Sequence, residues 1–328
     1  MCDFRNSEIN SADKQTLNGK VLKPENLCFG VGSDESIDAI MRVLCVPGKD
    51  KLLTCPPTYG MYAVSAQIND VEVVSINMNF IKGKFSIKPD EINARLAEDP
   101  SIKLAYICSP GNPTGSLIEK ADIIKVLEHP TWNGIVVVDE AYIDFAPEGT
   151  SMAPLVNKYP NLLVMQTLSK SFGLAGVRCG VSFASPDLSR LLNSMKAPYN
   201  ISTPTARLAS RVLSPEGIKV MKGLVKKIIV QRDRLVRELP KLQGIGEFVG
   251  GEDANFLLVE IIDKDGKPSN DIARQVYTKL AEFRNVIVRY RGKEPGCTGC
   301  LRISIGNEEE TTILLKELQS VLAEIYSE

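Results

Sequence analysis

The chain has 328 residues, 44% of them hydrophobic and 24% charged, with 39 basic against 40 acidic side chains and a net charge of −1. That length suits two domains of ordinary globular composition, and so even a balance sets up no basic field for nucleic acid or an anionic membrane. No apolar run reaches the roughly 18–20 residues of a membrane helix, and the first residues, Met1 to Asn6, lack the apolar core of a signal peptide.

The first 30 or so residues are polar and show little periodicity. From Asp34 onward, Ile37, Ile40, Met41 and Leu44 fall on one helical face. Short apolar runs at 52–55, 71–76, 103–108, 134–139, 162–167 and 179–183 read as strands, and a helix is predicted over 118–127. Runs apolar at nearly every position indicate strands buried on both faces, so the fold class is α/β with a mainly parallel sheet covered by helices. After about residue 205 the pattern changes to a long helix (218–239), short strands (255–261, 286–289, 301–305) and a C-terminal helix from Glu309. The expected division is an N-terminal segment at 1–29, a large domain at 30–205 and a smaller α+β domain at 206–328.

The eight cysteines are scattered, and several sit in strand-like or helix-like settings, which points to free thiols in a reducing, cytoplasmic setting. Cys297 and Cys300 have the spacing of a zinc or redox pair, but the single histidine, His129, is remote, so two thiols in a Gly-rich loop is the plainer reading. One histidine also leaves no basis for Ser-His-Asp, Cys-His or His-metal chemistry.

Ligands of α/β sheets sit beyond the carboxyl ends of the strands. Three such ends carry polar residues: Asn112, Asp139 and the run from Thr167 to Lys170. Asp139 ends a strand of four β-branched residues, where a carboxylate is costly unless paired. It is a helix cap, an ion-pair partner or the partner of a cationic ring nitrogen. Lys170 alone is an ordinary solvated charge. With hydroxyls at Thr167, Ser169 and Ser171, and Arg178 eight residues on, it stands beside a set that suits a phosphate dianion. Gly30, Gly32, Ser33 and Asp34 precede a helix. Glu35 occupies the third glycine position of a dinucleotide fingerprint, and no clear strand is seen ahead of it, so either helix capping or phosphate binding at the helix start remains.

The order of these signals is more specific than any one of them. Gly32 to Glu35, Pro57 to Gly60, Ser109 to Gly115, Val138 to Tyr142 and Ser169 to Arg178 resemble the fold-type I aminotransferases, which depend on pyridoxal 5′-phosphate. Pro56 to Tyr62, Asp139 to Phe145 and the late pair Val288-Arg289 and Leu301 to Ile303 resemble, within them, the histidinol-phosphate aminotransferases in their fungal form. The resemblance runs from about residue 24 to the end. It implies a large domain plus a smaller C-terminal one, and a homodimer sharing its active sites. The implied reaction is transamination of histidinol phosphate with 2-oxoglutarate in histidine biosynthesis. Transamination of aromatic or other amino acids, decarboxylation of a related phosphate substrate and a non-catalytic subunit are the alternatives.

The resemblance also implies the roles. Lys170 forms the Schiff base, and its freed amine moves a proton between the substrate Cα and the cofactor. Asp139 pairs with the pyridine nitrogen, Tyr142 and Asn112 bond the ring's phenolic oxygen, and Tyr59 stacks on the ring. Ser33, Asp34, Thr167, Ser169 and Arg178 hold the cofactor phosphate. Arg302, assisted by Arg289, binds the substrate anion. The family carries a longer N-terminal segment that lines the substrate-phosphate pocket and supplies a tyrosine to the partner subunit. The first tyrosine here is Tyr59, so the expectation for this stretch of chain is weaker cofactor binding, weaker dimerisation and slower turnover.

Overall fold

The structure, a computed structural model, describes residues 1–81 and 83–327; Lys82 and Glu328 lie outside them. The polar start is structured. Helices α1 (Cys2–Ser7) and α2 (Ser11–Leu17) pack Phe4, Ile9 and Leu17 inward, and Asn10 caps α2 by accepting from the Asp13 N–H at 2.8 Å. Strand β1 (Leu27–Gly30) then leads directly into α3 (Gly32–Leu44). The strand that the sequence did not reveal ahead of the Gly-Ser turn is therefore present. Only two of its four residues are buried, so it has no continuous apolar run to betray it.

The strands β2 (Lys51–Thr54), β3 (Glu72–Ser75), β6 (Ile102–Cys108), β7 (Ile135–Asp139) and β8 (Leu162–Thr167) run parallel, joined through α4 (Met61–Ile68), α5 (Pro89–Glu98) and α6 (Lys120–Leu127). A hairpin of β4 (Asn79–Ile81) and β5 (Lys84–Ser86) projects from the β3–α5 connection. Strand β9 (Gly180–Phe183) lies antiparallel between β8 and β1, giving seven strands in the order β1-β9-β8-β7-β6-β2-β3.

Successive residues of the central strands point to opposite faces. Val136, Val138, Leu162 and Val164 pack with α5, α6 and α2 on one face. Val137, Leu163 and Met165 pack with α3, α4 and α7 (Pro186–Met195) on the other. Every residue of β8 is buried, the two-sided burial that its unbroken apolar run requires. Each fully buried Val or Leu contributes about 1.5–3 kcal/mol.

Beyond α8 (Thr203–Val212), α9 (Pro215–Glu238) is opened by Ser214, which accepts from the Gly217 N–H at 3.2 Å, and by Pro215 in its first turn. A second, antiparallel sheet follows: β10 (Ile245–Phe248), β11 (Phe256–Ile261), β12 (Arg289–Tyr290) and β13 (Cys300–Ser304), in the order β10-β11-β13-β12. Leu235, Val276, Leu280, Leu318 and Val321 from α9, α10 (Asn270–Phe283) and α11 (Glu308–Ser327) cover it. Phe256 leaves this sheet to meet Tyr142 edge-on, with ring centroids 5.1 Å apart. The second sheet thereby reaches the carboxyl ends of β6, β7 and β8.

Candidate active site

At those strand ends lies a cavity of about 280 Å³, lined by Ser33, Asp34, Tyr59, Asn112, Asp139, Tyr142, Thr167, Ser169, Lys170, Arg178 and Arg302, with Cys108, Ala141, Ala175 and Arg291. That volume is near the lower end of the ~300–1,000 Å³ usual for small-molecule sites. Residues 33 to 302 converge here because three parallel strands end side by side and β13 closes the mouth.

Asp139 is the last residue of β7 and is buried. Its carboxylate accepts from the Tyr62 hydroxyl at 2.7 Å and the Ala141 N–H at 3.1 Å. No cation pairs with it among the described residues. Burial therefore pushes its pKa above the usual carboxylate range, opposed chiefly by the Tyr62 hydrogen bond. An anionic acceptor with no cation, facing a cavity, suits a protonated ring nitrogen in the ligand.

Lys170 follows β8, exposed as a residue, and lines the cavity, with its Nζ 5.5 Å from the centroid of the Tyr142 ring. Burial lowers its pKa, and the nearby Arg302 lowers it further while Asp139 opposes both. A lowered pKa favours the neutral amine, which is the nucleophilic form.

The other end of the cavity suits a phosphate. The first turn of α3 carries no side-chain cap, so neither Ser33 nor Asp34 acts as the cap considered above, and the helix start presents free N–H groups. The Arg178 guanidinium lies 3.5 Å from Asp34. Gly32 sits at φ +76°, a backbone that favours glycine, and a Cβ there would come within 2.4 Å of that guanidinium and displace it. Thr167 donates to Ser169 at 2.9 Å, grouping the hydroxyls on the same side.

Tyr59 lines the cavity and donates to Asp34 at 3.4 Å; burial first, then the Asp34 charge, pushes its phenol up to about 12. Tyr142 is raised as well, by burial. Both stay protonated donors at neutral pH. Arg302 stacks 4.8 Å from the Phe256 ring and donates to the Asn112 carbonyl at 2.6 Å, while its buried Nε has no partner. Arg289, expected to assist Arg302, stands beside it on the neighbouring strand. It is exposed on β12, directly opposite Arg302, and does not line the cavity. Arg291, two residues on, does line it and pairs with Glu294 at 3.1 Å.

Sequence reasoning also missed Tyr62 and a buried network beneath the site. Arg5 pairs with Asp144 at 2.8 Å and Glu8 at 2.7 Å and donates to Gln166 at 2.8 Å. Asp144 accepts from Ser171, the neighbour of Lys170. Gln166 in turn donates to Glu140 at 2.7 Å. The available signal was an arginine in an otherwise weakly patterned start. Cys297 and Cys300 are buried free thiols, in keeping with the plainer reading of that pair.

The comparisons agree with this geometry. The family described as aminotransferase class I and II matches residues 7–318. Histidinol-phosphate aminotransferase of Schizosaccharomyces pombe is 53% identical, over 100% of this chain and 83% of its own length. That of Saccharomyces cerevisiae is 48% identical over the same shares. Among solved structures, histidinol-phosphate aminotransferase of Sinorhizobium meliloti, in complex with pyridoxal-5′-phosphate, matches with a TM-score of 0.81 at 21% identity, covering 98% of this chain and 82% of that one. The Clostridium acetobutylicum enzyme gives 0.80 at 22%, covering 98% and 90%. At such identities the structural matches establish the fold-type I architecture. With the cavity they share one conclusion: the chain belongs to the class I and II aminotransferase family.

Proposed function

We propose that this aminotransferase moves the amino group of histidinol phosphate to 2-oxoglutarate, using pyridoxal 5′-phosphate, as a step of histidine biosynthesis. The observation that carries the cofactor assignment is the pairing, in one cavity, of a buried carboxylate that lacks a cation with a cavity-lining lysine of lowered pKa. Identity to the fungal enzymes across this whole chain and 83% of their own length supports the substrate.

When bound, the cofactor supplies an aldehyde for amine exchange and a cationic ring that accepts electrons from the substrate Cα. The rest falls to the protein. Asp139 holds the proton on the ring nitrogen. Tyr142 and Asn112 serve the phenolic oxygen, and Tyr59 covers the ring. The α3 N-terminus, Thr167, Ser169 and Arg178 hold the phosphate. Lys170 Nζ carries the proton to and from the substrate Cα, which is why no histidine is needed. Arg302 takes the substrate anion with its unpartnered Nε. Arg289, on the same face of the sheet, supports it from outside the cavity.

The proposed assembly is a homodimer, supported by apolar side chains left exposed in and just after α7: Leu191, Met195 and, 97% exposed, Tyr199. A cytoplasmic setting is supported by the eight free thiols. No helix of the described residues is long and apolar enough to cross a membrane.

Steady-state assays with 2-oxoglutarate, histidinol phosphate and histidinol test the substrate. The expected kcat/KM for the phosphorylated amine is higher by about a thousandfold or more. Equal turnover of histidinol, or preference for an aromatic amino acid, would reject this substrate and leave a different aminotransferase.

A further inference from the structure

Tyr62 lies on α4, is fully buried, and is held on two sides by rings. Tyr59 meets it edge-on at 5.6 Å and Tyr106 is tilted against it at 4.8 Å. From between these rings its hydroxyl donates to Asp139 Oδ2 at 2.7 Å, with the Cys108 thiol beside it. Among the described residues it is the only side chain that hydrogen-bonds that carboxylate; the other donor is the Ala141 N–H. An ionised carboxylate accepts about four hydrogen bonds, so two sites remain for a ligand.

We propose that Tyr62 is a positioning residue: its hydroxyl holds Asp139 as the anion that keeps the cofactor's ring nitrogen protonated, while its ring braces Tyr59, which covers the same ring. One residue thereby links the face contact to the in-plane contact. The inference rests on the cofactor reading above. The other groups around Asp139 do not substitute for it. Lys170, on the loop after β8, favours the charged carboxylate, but Asp34 at the start of α3 opposes it, and Cys108, at the end of β6, is a thiol pushed up to about 12 by burial. Burial also keeps the Tyr62 phenol far above its ordinary range, so it remains a donor wherever the enzyme works.

Tyr62→Phe keeps the ring and removes the hydroxyl. Tyr106→Phe is its control, because the Tyr106 hydroxyl is buried in the same stack without a partner. Each protein would be titrated with pyridoxal 5′-phosphate carrying ¹⁵N in the ring. In wild type the bound ring nitrogen should give the shift of a protonated pyridine. Tyr62→Phe should move it toward the neutral value and raise the cofactor Kd about tenfold or more, the worth of a charge-assisted hydrogen bond. Tyr106→Phe should change neither. Asp139→Asn combined with Tyr62→Phe should bind no more weakly than Asp139→Asn alone. An unchanged ¹⁵N shift in Tyr62→Phe, additive losses in the double variant, or loss of the fold on removing this one hydroxyl would overturn the assignment. If wild type binds no pyridoxal 5′-phosphate, the cofactor reading itself fails, and the assignment with it.

Discussion

At the scale of single residues, Asp139 shows how a site is built against the interests of stability. Its folded-state pKa lies above its unfolded value because burial penalises the charge. The folded chain therefore holds this proton more tightly than the unfolded chain. The group's stabilising contribution is present below the unfolded pKa, about 3.9, and is lost as pH rises through the folded pKa. Once ionised, the buried carboxylate costs stability in the cofactor-free protein. Asp139→Asn should accordingly raise the melting temperature of cofactor-free enzyme at pH 7, by about 2–4 °C for each kcal/mol recovered, and the gain should shrink in melts at acid pH. The same variant should lose about 10²–10³ in kcat, since charge at the ring nitrogen is no longer stabilised. A variant that melts lower at pH 7 would contradict the assigned environment. The polarity of Asp139 at the end of an apolar run was legible in the sequence. Its partner was not, because Tyr62 lies 77 residues away and the bond depends on two strands and a helix meeting. Arg291 was illegible for a related reason. Strand alternation places residues 289 and 291 alike, but β12 ends at Tyr290, and the turn that follows, with the Arg291 N–H bonded to the Cys300 carbonyl, sends Arg291 into the cavity.

At the scale of elements, two devices hold the site. The first is the start of α3. Its uncapped N–H groups and Arg178 approach each other across Gly32, leaving no space for a Cβ. Gly32→Ala should strain the left-handed backbone by about 1–2 kcal/mol and push the guanidinium aside. A rise in the cofactor Kd of about tenfold or more is expected by titration; wild-type affinity would show that this turn does not hold the phosphate. The second is α1. Arg5 is 3% exposed and is surrounded by Glu8, Asp144 and the Gln166–Glu140 pair. Arg5→Leu would leave the Asp144 carboxylate without its cation, while Glu8 keeps Lys222, at a cost of about 3–5 kcal/mol. Urea unfolding would measure it, and a loss below about 1 kcal/mol would mean that α1 is only loosely attached. The central strands were legible because two-sided burial writes an unbroken apolar run. The short helices α1 and α2 were not, since each buries only one or two residues and a face that narrow leaves no period.

At the scale of the whole molecule, the cavity exists because two sheets of different kinds meet. The parallel sheet supplies Asn112, Asp139 and Lys170 from adjacent strand ends, and the antiparallel sheet supplies Arg302 beside Phe256. On the proposed function, the first supplies the catalytic polar groups and the second the arginine that meets the substrate anion. The order of the motifs made this arrangement recognisable, whereas the antiparallel insertion of β9 between β8 and β1 left no mark, because its four buried residues read like any parallel strand. On the proposed function, Lys170 is the covalent anchor of the cofactor in this cavity. The most direct measurement is the visible absorbance spectrum of the purified chain after addition of pyridoxal 5′-phosphate and removal of the excess, beside that of Lys170→Ala. The wild type should retain a band of lysine-bound cofactor and the variant should show none. A wild type with no such band, or a variant that keeps it, would contradict the account.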